Sequence, residues 1–474
     1  MAENYELTSP VYDLMLKDYQ RNAELYDGGR SVEGQAERYL TQHPYEKDNQ
    51  FEIRKKRAAY RNFAAPTVDL FASSVTDDVN RESLKGVAGF DDMQNNSDRQ
   101  NNSPDVFFKN VVSRAAAQGA HFVLVDMPRA LGEARTQAEA REQGLVPYFV
   151  RIPAESLINW AYDEEGSLEW VVVKDVRTET LEPFTKPVLV KTITLWRKNS
   201  WERFESRDGA KYAPVDGGPL SIGMVPIVPF LYEPDELDPG MTGRSVIDDV
   251  ASLIVRVFNQ DSELDKMLFD AALPILVAYG LTQEEEEVIA KATNYLWRFS
   301  SSEAKLEYVE PSGAAFSAKR QQIVDDVESI REISLRQTKP KGAGTETAEA
   351  KRLDTIQLSS QLADFARRAA AAERRCWEIA GKFVGIEQAI SSAIDIKYNE
   401  TFDPEALREK LTQAFMELLD GGNISRETVW KQLGMTEDEI TQEKALMEQE
   451  RQGSEGASGS LGNEITNILR EGNA

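Results

Sequence analysis

The residues in this chain that could do chemistry are few and scattered. Gly342-Ala343-Gly344-Thr345 stands just ahead of a long helical stretch. A helix start of that kind can cradle a phosphate, because its first N–H groups have no partner inside the helix. The same first turn carries Glu346 and Glu349, which repel a phosphate and complement the helix dipole themselves. The segment therefore reads as a flexible loop, with Lys339 and Lys341 as its cations. Val123-Leu124-Val125-Asp126 resembles the strand-end acid of an ATPase. The chain has no G-x-x-x-x-G-K-[ST] loop to hold the nucleotide, however, and neither a G-x-S-x-G elbow nor an H-E-x-x-H pair. His43 and His121 are far apart and no cysteine cluster accompanies them, which argues against structural zinc. Cys376 falls within an apolar helical stripe and reads as core. The acid groups Asp248-Asp249, Asp325-Asp326 and Glu284 to Glu287 lie on predicted helices, where carboxylates line solvated faces. No catalysis is expected, and no cofactor or metal.

The elements that must position these residues are bounded by composition. At 474 residues the chain is too long for one ordinary core, so two or more packed regions are expected. Apolar residues at 41% and charged residues at 28% describe a globular chain. The longest apolar run, Ala271 to Leu281, is about half of what a bilayer crossing needs, and the start does not resemble a signal peptide. A single cysteine suits a reducing cytoplasm. Eighty acids against 55 bases leave a net charge of −25. Tight DNA binding needs Lys and Arg to displace counterions. Such acidity describes either a self-repelling soluble surface or one that meets DNA without gripping it.

The pattern predicts helices first, then a sheet, then long helices: an α+β fold, mainly helical. The opening from Pro10 to about Leu40 reads as helical and is stopped by the turn Asp27-Gly28-Gly29, and a second helix runs from about Asp48 to Ser74, with Pro66 interrupting or kinking it. Its basic run, Arg54-Lys55-Lys56-Arg57, reads as a solvated face or a contact between subunits. Asp91 to Ser103 reads as a loop and Pro104 to Gln118 as a helix. His121 to Val125 is a buried strand, and Arg129 to Gly144 a charged excursion. Strands follow at Tyr148–Ile152, Leu168–Val176, Val188–Trp196, Trp201–Glu205 and Ile227–Leu231. The alternation in Val188 to Trp196 suits a half-exposed antiparallel sheet.

Beyond Asp238-Pro239-Gly240 the character changes. Ser245 and Asp248 form a capping-box variant ahead of a helix to about Ala272, roughly 40 Å long. Ile275–Tyr279, Tyr295–Phe299 and Lys305–Val309 read as short strands, and about Phe316 to Leu335 as a helix. The longest helix carries Leu358, Leu362, Phe365, Ala369, Ala372, Cys376, Ile379 and Phe383 at steps of four and three, a packing stripe. Asp403-Pro404 opens a helix closed by Gly421-Gly422, Ser425 caps another ending at Gly434, and Gly453 to Gly462 is a Ser/Gly linker trailed by Ile465 to Leu469.

This order of parts resembles the tailed-bacteriophage portal protein, the head-to-tail connector ring subunit, in a branch common among prophages. Four stretches carry the likeness. They are Glu24-Leu-Tyr-Asp-Gly28 with Tyr39-Leu40 and Arg57-Ala-Ala-Tyr-Arg-Asn62; Gly243-Arg-Ser245 with Asn259, Ser262, Leu273-Pro-Ile-Leu-Val277 and Gly280; Gly344-Thr-Glu-Thr-Ala-Glu-Ala350 with Leu353; and Gly422-Asn-Ile-Ser-Arg-Glu-Thr-Val429 with Leu433. The resemblance implies a wing (1–242), a stem helix (243–272), a clip (273–316), a returning stem helix (317–336) and a tunnel loop (337–346). A long wing helix with the crown base (347–402) and a helical crown and tail (403–474) follow. It implies a ring of about twelve subunits at a capsid vertex, assembled in the host cytoplasm, through which double-stranded DNA is packaged and ejected. Implied partners are further copies of the chain, DNA in transit, the terminase large subunit, a head–tail connector or adaptor, and the major capsid and scaffolding proteins, with no membrane.

Within that frame Lys339, Lys341 and Gly342 would meet DNA at the tunnel loop. Asp248, Asp249, Ser252, Arg256 and Asp265 are candidates to line the channel from the stem, and Glu284, Glu285, Glu286 and Glu287 are the docking charge of the clip. About twelve copies at −25 each would oppose phosphate adhesion, so that DNA slides without being held in register. The ring also answers a packing expectation, that thin striped helices bury their apolar sides on neighbours. The rival readings are another virion structural or scaffolding protein, or, less well supported, a nuclease or nucleotide-dependent enzyme.

Overall fold

The computed structural model describes residues 4–87, 90–128, 145–180, 182–271, 275–279, 305–309, 313–335, 348–386 and 394–420. The chain divides into two units, residues 1–412 and 413–474. Of the second, only 413–420 are described, the last turns of a helix.

Helix α1 (Pro10–Asp27) starts where Ser9 accepts a hydrogen bond from Val11 N, and Pro10 occupies the first turn. It ends at Gly28, whose φ of 85° admits no side chain without strain. The stop expected at Asp27-Gly28-Gly29 is where α1 ends, and the rest of the helical stretch to Leu40 is two short helices, α2 (Gly29–Glu33) and α3 (Ala36–Tyr39). The helix expected from Asp48 to Ser74 is likewise two, α4 (Asp48–Arg57) and α5 (Ala64–Val75). A helix cannot run through Pro66, whose ring would meet the carbonyl of Asn62. The chain restarts at Ala64, placing Pro66 in a first turn, and Asn62 Oδ1 accepts from Ala65 N at 2.9 Å.

A short helix α6 (Asp91–Asn95) interrupts the expected loop. Then α7 (Pro104–Gln118), capped by Ser103, leads into the buried strand β1 (Ala120–Asp126). It pairs antiparallel with β2 (Tyr148–Pro153) and β8 (Ile227–Leu231). Between these lies a five-stranded antiparallel meander: β3 (Leu157–Tyr162), β4 (Leu168–Glu179), β5 (Val188–Arg197), β6 (Ser200–Arg207) and β7 (Ala213–Pro219). Strand β7, Ala-Pro-Val-Asp-Gly-Gly-Pro, has the composition of a turn. It survives as a strand because it is the exposed sheet edge, where proline costs no ladder bond.

A two-residue bridge, β9 (Glu233–Pro234) with β10 (Gly243–Arg244), leads into helix α8 (Asp248–Ala271). After β11 (Ile275–Tyr279) and β12 (Lys305–Val309), paired antiparallel in a sheet of their own, come α9 (Gly313–Ser334), α10 (Ala348–Phe383) and α11 (Pro404–Asp420). The expected segments 129–144, 295–299 and 425–469 lie outside the described residues. The α+β class, rich in helix and with antiparallel sheets, holds.

The stripe of α10 was expected to need neighbouring copies; the fold corrects this. Leu358, Leu362, Phe365, Ala369, Cys376 and Ile379 are buried within the chain itself, with α10 lying on β8, β1 and α5. Burial pushes the Cys376 thiol well above its usual range. Phe107, Phe108, Phe149, Phe230 and Trp377 build an aromatic cluster under it, with successive ring centroids 5.2–5.9 Å apart.

One buried carboxylate closes this core. Glu373 accepts from Arg81 Nε (2.5 Å) and Nη2 (2.8 Å), from Trp377 Nε1 (3.1 Å) and from the Tyr398 hydroxyl (2.6 Å). It ties α10 to the segments flanking the Asn80–Lys397 bridge. Glu373→Gln should cost about 3 kcal/mol, because it removes the buried counter-charge of Arg81 and leaves it only the exposed Asp105; urea unfolding measures it. His121 on β1 gives an acid dependence. Burial first, then the nearby Arg114 and Arg151, lower its pKa to about 3. Protons then bind the unfolded chain first, so stability falls as pH drops below about 6.5, by about 1.4 kcal/mol per unit, until about pH 3. His121→Leu should flatten that limb of the stability curve.

Candidate functional site

The part of the fold with the strongest claim to a function is the arm formed by α8, the β11–β12 hairpin and α9. Its root is built by close backbone approach. Gly119, at the end of α7 with φ 95°, and Gly243 lie against each other. A Cβ on Gly119 would sit 2.2 Å from the Gly243 carbonyl oxygen, and one on Gly243 2.4 Å from that of Gly119. Here Val246 N donates to Ala116 O (3.0 Å) and the Ser245 hydroxyl to Ala117 O (2.6 Å). The capping box read from the sequence forms at the same place: Ser245 N donates to Asp248 Oδ2 (2.7 Å) and Ile247 N to Ser245 Oγ (3.1 Å).

From that root α8 runs along the N-terminal helices and is held by them. Asn259 presents its amide to the chain leaving α3, accepting from Thr41 N at 2.8 Å and donating to Tyr39 O at 2.7 Å. Arg54 is buried, not solvated as its run suggested: it donates to Ser262 Oγ (2.9 Å), to Thr41 O (2.7 Å) and to both oxygens of Glu46 (3.0 and 2.9 Å). Arg61 forms a forked pair with Asp261, and Arg57 pairs with Asp265 while lying over the Phe269 ring. Tyr60 donates to Leu25 O and Asn62 to Tyr26 O, which fixes the segment bearing these arginines against α1. The first two stretches that carried the family likeness thus meet in one hydrogen-bonded network.

Across the arm α8 and α9 pack antiparallel. Asp326 accepts from Arg256 Nε and Gln260 Nε2, each at 2.9 Å, and Lys319 pairs with Glu263 at 2.6 Å. Ile254, Val257 and Phe258 on α8 and Ile323, Val324, Val327 and Ile330 on α9 are buried. The outer end of α8 is not covered: Leu268 is 37% and Phe269 47% exposed.

The five stem candidates are placed unevenly. Asp248 turns inward, bound by Asn22 (2.6 Å) and Arg21 (3.2 Å); burial nevertheless holds its carboxyl above the usual range. Asp249 pairs with Arg244 at 3.0 Å and Asp265 with Arg57 at 3.1 Å. Arg256 is bound to Asp326, and Ser252 is exposed. All six acids of α8 are ion-paired within the chain, the remaining three being Asp261 with Arg61, Glu263 with Lys319 and Asp270 with Lys266. The expected acidic wall along this helix is therefore largely neutralised. Lys339, Lys341 and Gly342, and Glu284, Glu285, Glu286 and Glu287, lie outside the described residues.

The arginine clamp was the part of the site missed in the sequence. A signal existed, since Arg54, Arg57 and Arg61 recur at steps of three and four, as do Asp261 and Asp265, but nothing local says the two rows face each other. Among the described residues no group of three or more His, Cys, Asp or Glu could hold a metal, and no helix is long and apolar enough to cross a membrane.

A family described as a domain of unknown function (DUF4055) matches residues 247–384, from the start of α8 to the end of α10. No curated protein matches. Among solved structures the chain is similar to one from the neck of a native GTA particle computed with C12 symmetry. Identity is 14% and the TM-score 0.37, covering 79% of this chain and 90% of that one.

Asn259→Leu leaves Thr41 N and Tyr39 O without partners and should cost about 1–3 kcal/mol. Hydrogen exchange should quicken at Thr41 and along α4 while the five-stranded sheet keeps its protection.

Proposed function

We propose that this chain is a portal-type ring subunit of a tailed-phage virion, a structural protein without catalytic activity that passes double-stranded DNA through a central channel. The observation that carries the reading is the arm. An α+β body emits a helix, a small hairpin and a returning antiparallel helix, followed by the longest helix of the chain. In the portal frame these are stem, clip, stem and long wing helix, at the positions where the sequence likeness falls.

The clamp fits a stem that bears load. DNA under pressure pushes on the channel wall, and α8 is tied to the body by ion pairs and side-chain amide bonds along most of its length rather than by one hinge. With the α8 acids neutralised, the exposed face of that helix offers hydroxyl and mixed polar groups such as Ser252 to a passing phosphate backbone. A wall of that kind neither grips nor strongly repels. Lys339 and Lys341 would then supply the channel's local contacts with phosphate, and Glu284 to Glu287 the charge that meets terminase and afterwards the connector.

The test is the mass of the assembled protein. Light scattering and particle images of the purified chain should show closed rings of about a dozen subunits. Elongated dimers would favour a scaffolding protein, and a monomer at high concentration would end the reading. In assembled particles, Lys339→Glu with Lys341→Glu should leave ring mass unchanged and lower DNA packaging or retention. Unaltered DNA handling would remove the two lysines from the channel.

A further inference from the structure

We propose that the β4–β5 hairpin of one copy plugs a groove on the sheet of the next, through Phe184. This rests on the ring reading and names the contact that would join neighbouring wings. The side chain of Phe184 is fully open, at 102% relative exposure, and stands on a turn built to hold it there. Pro183 precedes it and Pro187 closes the segment. Thr185 N donates to Glu182 O (3.1 Å), the Thr185 hydroxyl donates to the same carbonyl (2.9 Å), and Glu182 N donates back to Thr185 Oγ1 (3.2 Å). A large apolar ring on a preorganised turn, with water on every side, is costly for a lone chain. In contacts between proteins, it is the type of group that carries binding energy.

The same sheet offers the socket. A groove of about 340 Å³ opens on one face, with Leu7, Trp170, Val172 and Leu195 as its apolar wall and Arg197 and Glu202 at its rim. The ladder register puts these strand residues on one face, Trp170 opposite Arg197, Val172 opposite Leu195, and Leu195 opposite Glu202. Arg197 and Glu202 make no ion pair among the described residues, and neither do Glu182 and Lys186, which flank Phe184 two residues to either side. With the ring seated, Glu182 can meet Arg197 and Lys186 can meet Glu202. Charge selects the orientation.

A copy cannot satisfy its own groove. The plug lies at the turn joining β4 to β5 and the socket near the turn joining β5 to β6, at opposite ends of strands about 30 Å long. Plug and socket are different patches, so a contact made in one direction only is head-to-tail, the kind that closes into rings; a reciprocal pair, each plug in the other's socket, would instead stop at a two-fold dimer.

Full-length protein bearing Glu182→Cys and Arg197→Cys together, treated with a short bismaleimide, should give a ladder of covalent multimers; each single variant should give none. The natural Cys376 is buried and does not compete. Phe184→Asp should raise the concentration of half-assembly roughly tenfold or more, with the melting profile of the dissociated chain unchanged. Rings that form without the ladder, dimers from either single variant, or Phe184→Asp assembling like the parent would each overturn this contact while the ring stands. A chain that stays monomeric throughout overturns both.

Discussion

A helix with six carboxylates and only two basic residues cannot lie along a protein body unless cations are brought to it, and the architecture of the arm follows from that need. Arg57, from the end of α4, Arg61, from the link between α4 and α5, and Arg21, from α1, supply them, with Lys319 and Arg244 completing the set. The energetic content is uneven. Exposed pairs such as Arg57 with Asp265 contribute little individually. The Arg61–Asp261 pair is largely withdrawn from water, and burial holds the Asp261 carboxyl above its usual range in spite of its partner. Such a pair adds little net stability, but breaking it is costly and it admits one register only. Asn259, Ser262 and Arg54 add neutral and charge-assisted bonds that fix the same register.

Much of this fold was legible beforehand because its signals are local. Helix α7 and strands β1, β2, β5 and β8 fall within a residue or two of the expected bounds, and the helix starts at Ser245 and Asp403-Pro404 sit where serine, aspartate and proline chemistry put them. What escaped depends on distant segments. Strand β7 looks like a turn and becomes a strand only because β6 offers an edge. The break near Pro66 falls several residues early, since the ring's obstacle is the carbonyl one turn back. The basic run near residue 57 read as a solvated face or a contact between subunits because the carboxylates that meet Arg57 and Arg61 are some 200 positions away. Lys339, Lys341 and Gly342, and the acidic run Glu284 to Glu287, lie outside the described residues.

The satisfied stripe of α10 changes what can drive association. Leu358 through Ile379 spend their apolar surface at home, on β1, β8 and α5, so copies do not need one another in order to fold this region. Among the described residues, the apolar groups left over for any association are the outer turn of α8 with Leu268 and Phe269, and the sheet with its groove and exposed hairpin. These are small, separate apolar sites rimmed by charge. An assembly made this way forms from folded parts and is tuned by salt and concentration.

The crossing of Gly119 and Gly243 has a consequence of a different kind. Most tight contacts between two residues can be repaired in pairs, with a smaller partner making room for a larger one. Here the obstacle to a side chain on either residue is the carbonyl oxygen of the other, an atom that all twenty amino acids carry. No compensating replacement exists at the facing position, so the joint between body and arm tolerates no reciprocal exchange and can be altered only by moving the main chain itself.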